Sequence, residues 1–239
     1  MRKLLMGLVI LSSLALAGVS QATNGVVSMN WDSCIGPVDK TTTTAGPIQL
    51  FISEIGLDQV HTAYQIEFIY GNASQTVPDA WRFDAGACED GLLTQDAVSK
   101  SCPPFAQTAN SSALVIKRAE FSPSFGNYAT TLIRTIYAVA YANTPITAVG
   151  TTRYLMERAQ FDMSFAVPGA TDPGVNCGGF EQPMCFKLSH AGWLDVNGQE
   201  IPFDRADPAL SASFNGASAC PAVPVQPKTW GAIKGQYRN

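Results

Sequence analysis

Apolar side chains recur at every second position in several stretches of this 239-residue chain. The strongest stretch places large apolar residues at four alternate positions: Tyr64, Ile66, Phe68 and Tyr70. Successive side chains of a β-strand point to opposite faces of the sheet, so a period of two predicts a strand with one buried face. The pattern favours β-sheet over helix for most of the chain.

Similar apolar patterns predict further strands at residues 27–31, 48–53, 113–121, 132–141, 154–158, 161–165 and 186–190. The pair Asn197-Gly198 separates two more apolar stretches and predicts a hairpin with a type I′ turn, which needs positive φ at both central residues. Residues 91–100 are the best candidate for a short helix. About nine or ten strands without strand–helix alternation predict an all-β fold, an antiparallel β-sandwich of the jelly-roll or immunoglobulin-like type. A closed β-barrel is the alternative.

The first 22 residues have the three parts of a secretory signal peptide. Arg2 and Lys3 precede an apolar run over residues 4–17, and the small residues Ser20 and Ala22 stand where signal peptidase needs them. A membrane-spanning helix needs about 20 apolar residues, more than this run supplies. We therefore expect export, cleavage after Ala22 and no stable membrane insertion of the mature chain, which would be secreted, periplasmic or at the cell surface.

The mature chain divides into a domain and a tail. Residues 23–220 are long enough for a single large β domain. Residues 221–239 begin with three prolines within residues 221–227, which predict an extended linker. Trp230 and Ile233 follow, spaced for one face of a helical turn. This tail either packs back on the domain or serves as a short docking or sorting peptide.

The charge of the mature chain excludes one class of partner. Loss of Arg2 and Lys3 from the 15 basic residues leaves 13 against 19 acidic residues, a net charge near −6. An acidic chain with scattered Lys and Arg lacks the electrostatic footprint of nucleic-acid binding.

All six cysteines lie in the predicted mature chain: Cys34, Cys88, Cys102, Cys177, Cys185 and Cys220. An even number in an exported chain predicts disulfides, because the compartment is oxidising. Sequence alone does not choose the connectivity. The simplest arrangement pairs neighbours, Cys88 with Cys102 and Cys177 with Cys185, and leaves Cys34 with Cys220 to tie the ends of the domain. A zinc site is disfavoured, because no Cys-x-x-Cys motif is present.

Exposed aromatic rings are the best candidates for a binding site, because sugars stack on the faces of Trp and Tyr. The candidates are Trp31, Trp81 and Trp193, and Trp81 has the polar neighbours Arg82 and Asp84. Burial is the alternative for each of them, since large aromatic residues dominate core packing. We predict a ligand site at Trp81, Arg82 and Asp84.

The chain has one dense acidic cluster: Asp84, Glu89, Asp90 and Asp96. It is a candidate calcium site, since calcium takes about six to eight oxygen ligands, and no other cofactor is expected. No catalytic residue is assigned. A serine triad needs a histidine, only His61 and His190 are present, and no Gly-x-Ser-x-Gly motif occurs. A hydrolase that uses the acidic cluster or His61 remains an alternative.

Three short motifs resemble uncharacterised exported β-rich proteins of environmental bacteria. They are PDAWRF at residues 78–83, CGGFEQPMC at residues 177–185 and WGAIK at residues 230–234. The overall pattern is similar to cohesin-like and carbohydrate-binding sandwiches. The resemblance implies a bacterial secreted or surface β protein, and it assigns no activity and no site residues.

Together these features predict an exported, non-catalytic β-sandwich module that binds a glycan or a cell-surface partner. The alternatives are a structural or assembly subunit of the cell surface, suggested by the Trp230 tail, and the secreted hydrolase. Asn72 and Asn110 begin Asn-x-Ser sequons, which matter only in a host that glycosylates.

The signal-peptide interpretation predicts that the exported protein begins at Thr23. Mass spectrometry of N-terminal peptides from protein recovered outside the cytoplasm should find this start. Signal peptidase accepts only a small residue before the cleavage point, so Ala22→Arg should leave the precursor uncleaved. Export of the wild-type chain with residues 1–22 retained would contradict the interpretation.

Overall fold

The computed structural model describes residues 24–72, 76–105, 113–122, 131–141, 145–167, 177–205 and 210–217. The predicted signal peptide (1–22), the tail (221–239), Cys220 and Asn110 lie outside these residues, and what was predicted for them stays a prediction. Asn72 is described, and its side chain is buried. No helix in the described ranges is long and apolar enough to span a membrane.

The regular structure of the described residues consists of fourteen β-strands and one 3-10 turn, Asp79–Trp81. The strands are β1 (Asn24–Trp31), β2 (Asp39–Lys40), β3 (Ile48–Leu57), β4 (Val60–His61), β5 (Ala63–Gly71), β6 (Leu93–Asp96), β7 (Ala113–Phe121), β8 (Ile133–Tyr141), β9 (Ile146–Thr147), β10 (Tyr154–Phe161), β11 (Met184–Leu194), β12 (Glu200–Pro202), β13 (Asp204–Arg205) and β14 (Ser211–Phe214). Four of them have two residues each, and the ten longer strands agree with the expected number.

The strands form two large sheets and a small one. The five-stranded sheet has the order β13-β1-β3-β10-β6, and the seven-stranded sheet has the order β2-β14-β11-β5-β8-β7 with β12 beside β11. β4 and β9 form the two-stranded sheet. Pairs are antiparallel except β1 with β13 and β2 with β14. The predicted antiparallel β-sandwich is confirmed, and the described residues do not form the alternative closed barrel.

β1 and β5 show how the period of two relates to burial. Alternate residues of β1 are buried, and Val27, Met29 and Trp31 belong to the core. β5 has the same kind of sequence pattern, but all nine of its residues are buried. It lies between β11 and β8 in the middle of the larger sheet, so the expectation of one exposed face is wrong for this strand.

Two local predictions are wrong. Residues 91–100 contain β6 instead of a helix, because this segment pairs with β10. The strand expected at 161–165 is absent, because β10 ends at the first of these residues and a turn follows, closed by the Ala166 N–H and the Met163 carbonyl (3.1 Å). Phe165 is consequently exposed.

The hairpin at Asn197-Gly198 is confirmed, but its turn is not type I′. β11 and β12 pair on either side of it. Gly198 has a φ of +78°, whereas Asn197 is not among the described residues with positive φ. The Asp195 side chain accepts hydrogen bonds from the N–H groups of Asn197 (2.8 Å) and Gln199 (2.7 Å), which fixes a longer turn.

Trp81 lies in an aromatic core between the two large sheets. The 3-10 turn carries it there, and its side chain is fully buried. Its ring centroid lies 6.0 Å from that of Phe161 in the five-stranded sheet. Phe186 and Phe214 of the seven-stranded sheet lie at 5.6 and 4.9 Å. The indole N–H donates to the Phe180 carbonyl (3.2 Å), so the polar atom is satisfied and Trp81 joins both sheets.

Two disulfides contradict the pairing of neighbouring cysteines. Cys34 is bonded to Cys102 and Cys88 to Cys177, with Cα–Cα distances of 6.3 and 5.6 Å. Cys88 and Cys102 are separated by β6, which runs along β10 before the chain brings Cys102 to the cluster around Cys34. Disulfides are typical of an oxidising compartment.

Cys185 is also disulfide-bonded, and its partner is not among the described residues. The predicted pairs Cys88–Cys102, Cys177–Cys185 and Cys34–Cys220 are therefore wrong. Sequence distance fails as a guide here because whole strands lie between the neighbouring cysteines.

We expect Trp81→Ala to lower the free energy of unfolding by about 3–5 kcal/mol, the usual cost of truncating a large buried aromatic side chain. Phe165→Ala is the matched control, because Phe165 is 61% exposed and its loss should change stability by less than about 0.5 kcal/mol. Urea unfolding followed by circular dichroism measures both variants. Equal, small losses would contradict the central position of Trp81.

Candidate functional site

The predicted ligand-binding residues Trp81, Arg82 and Asp84 do not form an exposed platform. Trp81 is 0% exposed, and Trp31 and Trp193 are buried as well. The Arg82 guanidinium donates to both carboxylate oxygens of Asp84 (2.8 and 2.7 Å). Surface display of Trp81 for a sugar is therefore wrong, and core packing accounts for all three tryptophans.

The acidic residues predicted to bind calcium are Asp84, Glu89, Asp90 and Asp96, and three of them have a partner of their own. Asp84 is held by Arg82, and Asp96 accepts hydrogen bonds from Arg158 on β10 (3.0 and 2.5 Å). Asp90 accepts one from the Gly86 N–H (2.8 Å), and burial raises the pKa of Glu89 to about 7. No three His, Cys, Asp or Glu side chains in the described part of the chain form a group suited to a metal ion. Calcium binding therefore stays a prediction that no group of ligands among the described residues supports.

The two histidines lie in different environments. His61 is fully buried and stacks on Phe105 with a centroid distance of 4.2 Å, and burial lowers the pKa of His61 to about 4. His190 lies on the outer face of the larger sheet, where its Nε2 is 2.7 Å from Glu200. Within the described ranges, no ion pair joins either histidine to the acidic cluster. The histidines and the acidic cluster therefore do not form the common site that the hydrolase alternative needs.

Two carboxyl groups of the five-stranded sheet point into the sandwich. Strand pairing places Glu54 and Glu157 on the face that forms the core. Gln95 Nε2 donates to Glu157 Oε1 (2.8 Å) and to the Ile136 carbonyl of the opposite sheet (3.2 Å). Burial raises the pKa of Glu157 to about 8 and that of Glu54 to about 7, since both carboxylates would lose their hydration. Gln95 and Glu157 thus form a polar link between the sheets.

A row of polar side chains crosses the outer face of the larger sheet. Glu120 on β7 binds Arg118 (2.6 Å) and Arg134 of β8. Arg134 also lies 3.9 Å from Glu67 of β5, whose carboxylate accepts a hydrogen bond from the Ser189 hydroxyl (2.8 Å). The pair His190–Glu200 continues it on β11 and β12. Arg134 and Glu120 are buried, so this row orders neighbouring strands but offers little surface to a partner.

Three exposed valines lie on neighbouring segments at one end of the sandwich. Val60 of β4 is 40% exposed, Val149 after β9 is 52% exposed, and Val196 at the tip of the β11–β12 hairpin is 60% exposed. Val60 pairs with Thr147, two residues before Val149. We term this set the valine end (Val60, Val149 and Val196). Its side chains are β-branched and therefore rotationally stiff, so each presents its aliphatic group in a defined orientation.

Backbone hydrogen bonds hold the three loops of the valine end together. The Ala148 N–H donates to the Gln59 carbonyl (3.2 Å), and the Thr62 N–H donates to the Leu194 carbonyl (2.9 Å). The Thr62 hydroxyl adds a bond to the Asp195 carbonyl (3.1 Å). Loops fixed in this way lose little further conformational entropy when a partner binds.

Comparison with known proteins gives neighbours in structure but not in sequence. A cohesin module from a Clostridium perfringens family 33 glycoside hydrolase is similar at 12% identity and a TM-score of 0.37, covering 81% of this chain and 98% of that one. A type II cohesin of Acetivibrio cellulolyticus, solved in a complex with X-dockerin, is similar at 9% identity and a TM-score of 0.43, covering 80% and 98%. A non-cellulosomal cohesin from Archaeoglobus fulgidus gives 9% identity and a TM-score of 0.37, covering 89% and 99%.

No protein-family model matches the chain, and no curated protein matches it significantly.

Sequence patterns miss the valine end and could have found Glu157. Isolated valines carry no signal, because exposure and adjacency depend on the fold. Glu157, Ala159 and Phe161 stand at alternate positions of one strand, so their side chains share a face, and Ala159 and Phe161 are buried. A carboxyl at an inward position of a predicted strand is a recognisable exception to the alternation.

We expect the buried carboxyls to make the protein less stable as the pH rises. The pKa of Glu157 is about 8 in the folded chain against an ordinary value of 4.5, so between these values the folded state binds more protons and stability falls with rising pH. Burial lowers the pKa of His61 from its ordinary value of 6.5, so this histidine affects the free energy of unfolding only below about pH 6.5, where acid lowers it. Measurements from about pH 6.5 to 8.5 therefore isolate the carboxyls.

Glu157→Gln removes this titration and keeps an acceptor for Gln95. Over that range we expect the variant to lose on the order of 2 kcal/mol less unfolding free energy than the wild type. Glu181→Gln, at a half-buried position, is the control and should keep the wild-type profile. Denaturant unfolding at several pH values measures all three proteins. An unchanged profile in Glu157→Gln would refute the role of this carboxyl.

Proposed function

We propose that the protein is an exported, non-catalytic β-sandwich module that binds a protein partner through the valine end. The observation that carries the proposal is the exposure of three stiff aliphatic side chains on loops that backbone hydrogen bonds lock together. Loops at the ends of a rigid sandwich commonly carry binding residues. Covering these valines would remove apolar surface from water and favour association.

A protein fits this surface better than a glycan. Sugars stack on flat aromatic rings, and the three tryptophans considered for that role are buried. Val60, Val149 and Val196 offer branched aliphatic groups, which suit the apolar side chains of a protein interface. The interface would combine these side chains with the backbone groups of the surrounding turns.

Export is supported by two independent features. Residues 1–22 have the charged, apolar and small-residue regions of a signal peptide. The disulfides Cys34–Cys102 and Cys88–Cys177 are of a kind that persists outside the cytoplasm. A secreted, periplasmic or surface location would place the valine end where envelope or extracellular proteins can reach it.

The test compares the mature protein with two triple variants. Val60→Ser, Val149→Ser and Val196→Ser together remove the valine end. Val38→Ser, Val98→Ser and Val167→Ser form the matched control, because these valines are 49, 57 and 43% exposed elsewhere on the molecule. Each protein is immobilised and offered the envelope and secreted fractions of the producing organism, and captured proteins are identified by mass spectrometry.

We expect a partner that the wild type and the control capture and the valine-end variant does not. With that partner purified, calorimetry should give a dissociation constant at least about tenfold weaker for the valine-end variant. Equal affinity of the three proteins would overturn the proposal. Glycan-array binding that survives in the valine-end variant, with no captured protein, would also overturn it.

A further inference from the structure

The outer face of the larger sheet is more deeply buried than a two-layer sandwich requires. Ala63, Ala138 and Leu194 form a cluster there and are 2, 1 and 8% exposed. The partly buried residues packed against this cluster, Ile116 and Ala140, belong to the same sheet. The outer face of such a sheet is usually solvated, and small side chains in one layer do not exclude water from one another. The burial implies that a further segment covers this face.

Cys185 lies on the same outer face. In β11 it pairs with Gly71 of β5, whereas the next residue, Phe186, stacks on Tyr70 in the core. Alternation therefore directs the Cys185 side chain to the outer face. Cys185 is disulfide-bonded, and the other two disulfides leave Cys220 as the cysteine of the sequence with no assigned partner.

We propose that residues 221–239 dock on the outer face of the larger sheet and form the layer that covers it. A bond from Cys185 to Cys220 anchors the start of this segment at one end of the face. Trp230 then lies over the floor of small side chains around Ala138. None of its side chains belongs to the valine end, and the inference does not depend on the proposed function.

The dimensions agree with this arrangement. Cys185 is level with Gly71 and Ala138 with Gln65, six residues apart along β5, which corresponds to about 20 Å along the strand. β11 and β8 lie on either side of β5, which adds about 10 Å across the sheet. Trp230 follows Cys220 by ten residues, and an extended chain of that length reaches about 33 Å.

The chemistry of the segment suits a sheet face better than a sheet edge. Its prolines lack N–H groups and cannot extend a hydrogen-bonded ladder, but they can lie across strands. The small side chains of Ala63 and Ala138 leave a shallow area on the sheet beside the larger Leu194 and Gln65. A flat indole ring such as that of Trp230 would bury much of its surface on such a floor.

The first test is a peptide map of the mature, non-reduced protein. We expect a linked pair of peptides that contain Cys185 and Cys220, besides Cys34–Cys102 and Cys88–Cys177. Recovery of either cysteine as a free thiol, or bonded to another partner, would overturn the anchor on which the proposal depends.

The second test locates Trp230 directly and leaves the sheet unaltered. The photoreactive residue benzoylphenylalanine replaces Trp230, and cross-linked peptides are mapped after irradiation of the dilute mature protein. We expect intramolecular cross-links to residues 63–67 or 134–140. Cross-links between two chains, cross-links confined to other surfaces, or none at all would overturn the proposal. Another segment of the chain would then be the cover.

A fluorescence measurement gives an independent readout. The spectrum of Trp230→Phe subtracted from that of the wild type gives the emission of Trp230. We expect it to be shielded from acrylamide, and Ala140→Arg at the rim of the floor should raise its quenching several-fold. Ala85→Arg, at an exposed position outside the larger sheet, is the control and should leave quenching unchanged. Full quenching of Trp230 in the wild type would contradict docking.

Discussion

Trp81 and the rings around it fill the space between the two large sheets, and the position of both sheets depends on that contact. Trp31 packs edge-on to Phe186 across the sandwich at 5.1 Å, and Trp81 reaches Phe161 on one side and Phe214 on the other. Aromatic pairs of this kind add to the free energy of simple burial. Trp81 does not belong to either sheet. The 3-10 turn carries its side chain into this layer, and the disulfide between Cys88 and Cys177 ties the chain that follows the turn.

The opposite end of the sandwich is built on polar groups. There the Tyr64 hydroxyl donates to the Met156 carbonyl (2.8 Å), and Gln95 connects Glu157 with β8. Neutral carboxyls can be buried at lower cost than charged ones, which explains why their pKa values rise. The rigid loops of the valine end therefore belong to the end of the sandwich that contains Glu157, whereas aromatic rings fill the space around Trp81.

The sequence was a good guide to strands and a poor one to what surrounds them. Period-two alternation located β1, β5 and β8, because each strand has an inner face against the same core. It did not distinguish a central strand with two covered faces from one with a solvated face. Trp81 was misplaced for a related reason, since polar neighbours in sequence suggested a surface loop while the 3-10 turn points the indole inward.

Long-range pairings were beyond sequence reasoning. Cysteine partners depend on which strands separate them, and the valine end depends on three loops that are far apart in the chain. Asp195 shows a smaller case: its side chain sets the turn that Asn197-Gly198 alone would have made tighter. Glu157 is a buried carboxyl whose position could have been inferred, because it lies four residues before Phe161 and so shares its face of the strand.

The two described disulfides interleave along the chain, since Cys88 lies within the span Cys34–Cys102 and Cys102 lies within the span Cys88–Cys177. A single backbone cut anywhere between residues 34 and 177 is therefore bridged by at least one sulfur–sulfur bond. A protease that nicks a loop in this region leaves two fragments that stay covalently joined and in register. Where proteases are present, this topology keeps together two fragments that a cleavage would otherwise separate.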